Sequence, residues 1–120
     1  MIYGIGNDII EIARLKKSLE SERFYTFTFS GAERAAFGKN ESKLAGCWAV
    51  KESFGKALGT GVRGFSLDEV SVLRDELGKP YVQLTGAAAA IVKEKNLRVL
   101  CALTNTKELA FANVVLEEIV

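Results

Sequence analysis

Residues 42–58 restrict the fold more than any other stretch of this chain. Ser42–Leu58 has a composition that favours helix, and Gly59-Thr60-Gly61 stops it. Leu44, Ala45, Cys47, Trp48, Ala49, Val50, Phe54, Ala57 and Leu58 leave it almost no wholly polar side. A helix apolar nearly all round must be enclosed by other elements, because no face of it is content in water. Lys51, Glu52 and Lys56 interrupt this background, and burying unpaired charge is costly. Glu52 and Lys56 are four residues apart and share a face. Either they form an exposed ion pair or they serve a site.

The flanking segments can supply the enclosure. Ile2–Asp8 alternates as a strand, with Gly4 and Gly6 on one face leaving room for another backbone or a ligand, and with Asp8 at its end. A helix is expected from about Glu11 to Glu20, with Ile12, Leu15 and Leu19 inward. Phe24–Phe29 is aromatic-rich and of undetermined state. Ser30-Gly31-Ala32-Glu33 is a capping box opening a short helix to about Phe37, which Gly38-Lys39-Asn40 ends. After the long helix, strands are expected near Glu69–Arg74 and Tyr81–Leu84, a helix over Ala87–Lys95 capped by Asn96, and strands over Arg98–Thr104 and Ala110–Glu117. The pattern is α+β, one domain over residues 1–120, with two halves that each look like β-α-β-β around the long buried central helix.

The absence of histidine excludes imidazole bases and the nucleophile systems that depend on them. Two separated cysteines, Cys47 and Cys101, suit neither a zinc tetrahedron nor a disulfide framework, and reduced thiols in the cytoplasm are the simpler reading. What remains is carboxylate, lysine and arginine chemistry, the set used with hard cations and phosphate groups. A net charge of +1 gives no general case for nucleic acid or an anionic membrane as partner. No apolar run approaches the roughly 20 residues of a membrane span, and the N-terminus lacks the pattern of a signal peptide. Within the remaining chemistry, Asp8 reads either as a helix N-cap or as one of two carboxylates on a metal. Gly59-Thr60-Gly61 reads either as a helix stop or as a loop whose amides and hydroxyl approach a phosphate.

Several segments together resemble one family. Gly4-Ile5-Gly6-Asn7-Asp8-Ile9-Ile10-Glu11-Ile12-Ala13-Arg14 and the run from Leu44 to Gly61 are similar to the two signatures of holo-acyl-carrier-protein synthases, the short trimeric type of 4'-phosphopantetheinyl transferase. Gly78-Lys79-Pro80 and Thr104-Asn105-Thr106-Lys107-Glu108 follow in that family's order and spacing. The resemblance implies transfer of the phosphopantetheine arm of coenzyme A to a serine of an acyl carrier protein, in fatty acid biosynthesis, by a homotrimer with its sites at subunit interfaces. It implies Mg²⁺ on Asp8 and Glu52, Lys56 on the phosphate under attack, and Gly59, Thr60, Gly61 and Asn105 toward the nucleotide. The carrier serine would be the nucleophile, with Glu52 the candidate for taking its proton. The family's carrier is acidic, and Arg14, Lys16, Lys17 and Arg23 are candidates to receive it, the alternative being a solvated basic face.

Two positions depart from the family, which usually has histidine at 105 and arginine at 47. Asn105 can share hydrogen bonds but carries neither charge nor a mobile proton, and Cys47 removes a cation expected near the nucleotide. A homologue that binds coenzyme A or the carrier without turnover is therefore the main rival. Another Mg²⁺-dependent phosphotransferase is a second, though no Gly-x-x-x-x-Gly-Lys-Ser/Thr loop occurs. A small RNA-binding domain fares worse, for want of an aromatic RNA-binding strand.

Overall fold

The computed structural model describes residues 1–120. The chain runs β1 (Ile2–Glu11), α1 (Ile12–Ser18), α2 (Glu22–Thr28), α3 (Gly31–Phe37), α4 (Glu41–Leu58), β2 (Val70–Arg74), β3 (Pro80–Leu84), α5 (Gly86–Lys95), β4 (Leu97–Asn105) and β5 (Leu109–Glu118), with a 3-10 turn at Leu67–Glu69 before β2. The α+β class and the element order follow the sequence. The aromatic stretch left undetermined becomes α2. Ser21 caps it by accepting from the Phe24 amide at 3.1 Å, and Phe24, Tyr25 and Phe29 turn to the core. Asn40 belongs to the start of α4 rather than to the stop before it, because its side chain accepts from the Lys43 amide at 3.0 Å.

The strands form an antiparallel sheet of order β1-β5-β4 and a separate β2-β3 hairpin. β2 pairs with β3 and β4 with β5, but β1 pairs with β5, so the two β-α-β-β-like halves interlock rather than stand as independent units. One face of the three-stranded sheet carries α4. Ala110, Ala112, Val114 and Leu116 of β5 point at it, alternating with residues on the outer face. Two glycines of β1 set how close the helix comes. A methyl group at Gly4 would overlap the Ala57 carbonyl, and one at Gly6 would overlap the Ser53 carbonyl and lie 2.8 Å from the Ala57 amide nitrogen. The room left by Gly4 and Gly6 is thus filled by another backbone. Leu44, Ala45, Ala49, Val50 and Phe54 are fully buried, in keeping with a helix enclosed on most sides, each large side chain stabilising by about 1.5–3 kcal/mol.

Lys51 has a structural use. Its ammonium lies 2.7 Å from Glu33 Oε1, both side chains are 0% exposed, and it also donates to the carbonyls of Leu67 and Val70. Glu33 forms the expected capping box with Ser30, and its other oxygen accepts from the Val72 amide at 2.9 Å. Every donor and acceptor of the pair is met, which is the condition for tolerating buried charge. The pair ties α3, α4, the 3-10 turn and β2 at one point. Burial pulls the Lys51 ammonium below the usual lysine range, and the Glu33 carboxylate opposes that fall.

Candidate active site

Asp8 lies inside β1 opposite Ala112, not at the strand's end as expected. Pairing continues through Ile9, Ile10 and Glu11 onto Phe111, Ala110 and Leu109, and Glu11 rather than Asp8 precedes the first turn of α1. The alternation that turns Gly4 and Gly6 toward α4 turns Asp8 the same way. There Lys56 Nζ donates to Asp8 Oδ1 at 3.2 Å, from a lysine that is otherwise half exposed. Glu52, one helical turn before Lys56, opens into the same cleft. This cleft, of about 520 Å³, is lined by Asp8, Ile9, Ile10, Glu11, Arg14, Trp48, Glu52 and Leu109. The glycines that admit the α4 backbone thereby bring together three residues separated by up to 48 positions in sequence.

Partial burial pushes the Glu52 carboxyl up, and the negative charge of Asp8 pushes it further; Trp48 and Lys56 pull the other way. The Trp48 indole N–H meets no acceptor at hydrogen-bond geometry, yet it is close enough to favour the ionised form of Glu52. Two carboxylates whose charges oppose one another make a suitable partial ligand set for a hard divalent cation. Mg²⁺ commonly takes only one or two protein carboxylates and fills its octahedron with water and substrate phosphate. With Lys56 and Arg14 at its edge, the cleft has positive charge for phosphate oxygens beside negative charge for a metal.

The other expected site residues lie elsewhere on the same chain. Gly59 ends α4 in the left-handed conformation at φ 86°, and the Gly61 amide folds back onto the Gly55 carbonyl at 3.0 Å. Thr60 donates to the Gly61 carbonyl at 3.1 Å and borders a shallow pocket with Tyr3, Arg63 and Lys95, separate from the Asp8–Glu52 cleft. Asn105 lines a third pocket with Ser42, Lys43, Gly46, Arg74 and Thr104. Cys47 does not face that pocket. It is buried with its thiol toward the Val72 carbonyl at 3.6 Å, and burial pushes its pKa up. Positive charge at the Asn105 pocket comes from Lys43 of α4 and Arg74 of β2 rather than from position 47.

Arg14, Lys16, Lys17 and Arg23 are all exposed. Arg14 lines the cleft itself, Lys16 borders a neighbouring hollow with Lys107, and Arg23 rests over the Phe27 ring at 5.2 Å. Sequence reasoning passed over Trp48, Lys43 and Arg74. Trp48 stands four residues before Glu52, a spacing that could have placed both on one face. Lys43 and Arg74 meet only through the fold, and no local pattern joins them.

Comparison with known proteins places the sequence and the fold in one family. A family model described as the 4'-phosphopantetheinyl transferase superfamily matches residues 4–111. The holo-[acyl-carrier-protein] synthase of Lachnoclostridium phytofermentans is 45% identical over 116 residues, which are 96% of this chain and 95% of the relative. The crystal structure of the Neisseria meningitidis holo-[acyl-carrier-protein] synthase superposes with a TM-score of 0.91 at 33% identity, covering 98% of this chain and 100% of the other. That of Bacillus anthracis, solved in complex with CoA (3',5'-ADP), superposes with a TM-score of 0.83 at 32% identity, covering 98% of each chain. With a matching family model over most of its length, and close relatives over nearly all of it, this chain belongs to the 4'-phosphopantetheinyl transferase superfamily.

Proposed function

We propose that this chain is a transferase for fatty acid biosynthesis in the cytoplasm, with residues 1–120 as one catalytic domain. It moves the 4'-phosphopantetheine arm of coenzyme A to a serine of an apo-acyl carrier protein, leaving holo-carrier protein and adenosine 3',5'-bisphosphate. The carrying observation is the convergence of Asp8 and Glu52 in one cleft edged by Arg14, with Lys56 bonded to Asp8, in a chain whose relatives are named for this reaction. In the reaction the serine oxygen bonds to the phosphorus that bears pantetheine. The bridge to the nucleotide phosphate breaks, the nucleotide leaves with that bridging oxygen, and the serine proton passes to a base.

The substrate brings its own nucleophile, so the chain's tasks are orientation and charge stabilisation. Asp8 and Glu52 would hold Mg²⁺, and the bound ion would neutralise the pyrophosphate. Lys56 would exchange its bond to Asp8 for one to a phosphoryl oxygen, acting as a point charge on a flexible stem. Glu52 is the candidate in the cleft for the serine proton, directly or through a water held beside it, since a carboxylate that also holds the ion is a weaker base. Arg14, with Lys16, Lys17 and Arg23 beyond it, would receive an acidic carrier beside the cleft.

We infer further that three copies assemble, with each site shared between neighbours. Two features support this. The outer face of the β1-β5-β4 sheet is apolar and uncovered, with Ile5 68%, Ile9 55% and Leu100 46% exposed. Thr60 and Asn105 border pockets separate from the Asp8–Glu52 cleft, so an assembly could unite groups that one chain leaves apart. On that reading Asn105, with Lys43 and Arg74, faces the nucleotide of a coenzyme A held by a neighbour, alongside the Gly59-Thr60-Gly61 loop.

The test is to mix the pure protein with coenzyme A, Mg²⁺ and an apo-acyl carrier protein and to weigh the carrier by mass spectrometry. A gain equal to the phosphopantetheine arm, abolished by chelation of Mg²⁺, is expected. Binding of coenzyme A with no mass gain on several carriers would instead make the chain a non-catalytic binding homologue.

A further inference from the structure

We propose that Trp48 is a positioning residue for Glu52: its indole N–H engages one carboxylate oxygen and leaves the other turned toward Asp8 and a divalent cation. This rests on the reading of Asp8 and Glu52 as the cation's protein ligands. Nothing else in the molecule accounts for the state of this side chain. Trp48 Nε1 is the one buried side-chain nitrogen or oxygen without a hydrogen-bond partner. An unmet buried donor costs about 1–3 kcal/mol, and a persistent one calls for a reason.

The surroundings limit what the N–H can reach. Phe24 of α2 packs edge-on against the indole, with ring centroids 5.2 Å apart and planes at 71°, and Phe24 is itself packed edge-on against the buried Phe29. The ring is therefore fixed from its core side. Trp48 and Glu52 are one turn apart on α4 and line the same cleft. Helical side chains lean back toward the N-terminus, so the Glu52 carboxylate lies over the turn that carries Trp48. A rotation about the Glu52 side chain that brings one oxygen to the indole N–H would close the bond. The carboxylate would lose rotational freedom, and one face of it would be left free. Phenylalanine at 48 would keep an aromatic ring against Phe24 but could not do this, because it lacks the donor.

The chain has a single tryptophan, so its indole N–H gives one resonance in a ¹⁵N-labelled sample. Mg²⁺ is titrated in the presence of saturating coenzyme A, with binding followed in parallel by calorimetry. The expected result is a downfield movement of the indole resonance that saturates with the calorimetric curve and is absent in Glu52→Gln. Trp48→Phe should keep the fold and the affinity for the carrier but weaken Mg²⁺ by about 10-fold or more, the usual effect of losing a group that orients a ligand. A stationary indole resonance while calorimetry records Mg²⁺ binding would overturn the inference and leave the cation site standing. So would wild-type Mg²⁺ affinity in Trp48→Phe. No Mg²⁺ binding at all would remove the cation site and this inference with it. Should Trp48→Phe fail to fold, the wild-type resonance decides alone.

Discussion

Replacing Lys51 by methionine should damage the core severely. The Lys51–Glu33 pair is 2.7 Å long and wholly buried, and Lys51 also serves the carbonyls of Leu67 and Val70. Methionine fills similar volume but leaves the Glu33 carboxylate with only the Ser30 and Val72 amides, its charge uncompensated away from water. Breaking a buried pair in this way costs about 3–5 kcal/mol. Unfolding entropy of about 2.1 cal/mol/K per residue, over 120 residues, gives about 0.25 kcal/mol/K, so the melting temperature should fall by about 12–20 °C. Thermal and urea unfolding can be followed through Trp48 fluorescence, at one fixed protein concentration because assembly shifts apparent stability. The double variant Glu33→Gln with Lys51→Met has no charge left to strand, and its introduced glutamine side chain can still cap α3. It should be more stable than Lys51→Met alone. A loss under about 1 kcal/mol for Lys51→Met, or a double variant whose loss equals the sum of the singles, would refute the view of this pair as a coupled buried unit.

Three further outcomes follow from the site. Gly6→Ala must push β1 and α4 apart at the Ser53 carbonyl, at a cost of about 1–3 kcal/mol. It should also slow transfer by displacing Asp8 from Lys56, and wild-type stability and rate in this variant would contradict the close contact. Arg14→Glu should raise KM for the carrier far more than KM for coenzyme A in steady-state kinetics; equal rises would remove Arg14 from carrier docking. Because burial and Asp8 raise the Glu52 carboxyl, it takes up its proton at a higher pH than an ordinary glutamate. Calorimetric Mg²⁺ affinity should therefore begin to fall, as pH is lowered, above the ordinary glutamate range, and an affinity flat through that range would be the contrary result.

Local patterns carried much of the fold. The apolar run of α4, the Ser30–Glu33 capping box, the αL cap at Asn96 and the alternation of β4 and β5 are all short-range signals, and the structure keeps each of them. What the sequence hid depends on partners far along the chain. Lys51 looked like a companion of Glu52 and Lys56, because nothing near it announces that a capping-box glutamate 18 residues earlier doubles as its counter-ion. Asp8 looked like a strand end, because the three residues after it owe their extended conformation to β5, at the far end of the chain. Cys47 looked like a missing cation, whereas its side chain belongs to the core and the cations at the Asn105 pocket are Lys43 and Arg74. The cleft itself was partly legible. The i,i+4 relation joins Glu52 to Lys56 and to Trp48, but only the two glycines of β1 bring Asp8 to meet them.

The most direct measurement of the central claim is the rate at which Glu52→Gln transfers phosphopantetheine to a carrier protein, compared with the wild type at saturating coenzyme A and Mg²⁺. Glutamine keeps the size of the side chain and its place on α4 while removing the charge. If the Asp8–Glu52–Lys56 cleft carries the reaction, the rate should fall by about 100-fold or more with the melting temperature nearly unchanged, the scale on which loss of one charge-stabilising group acts. Transfer at the wild-type rate would mean that the chemistry takes place somewhere other than this cleft.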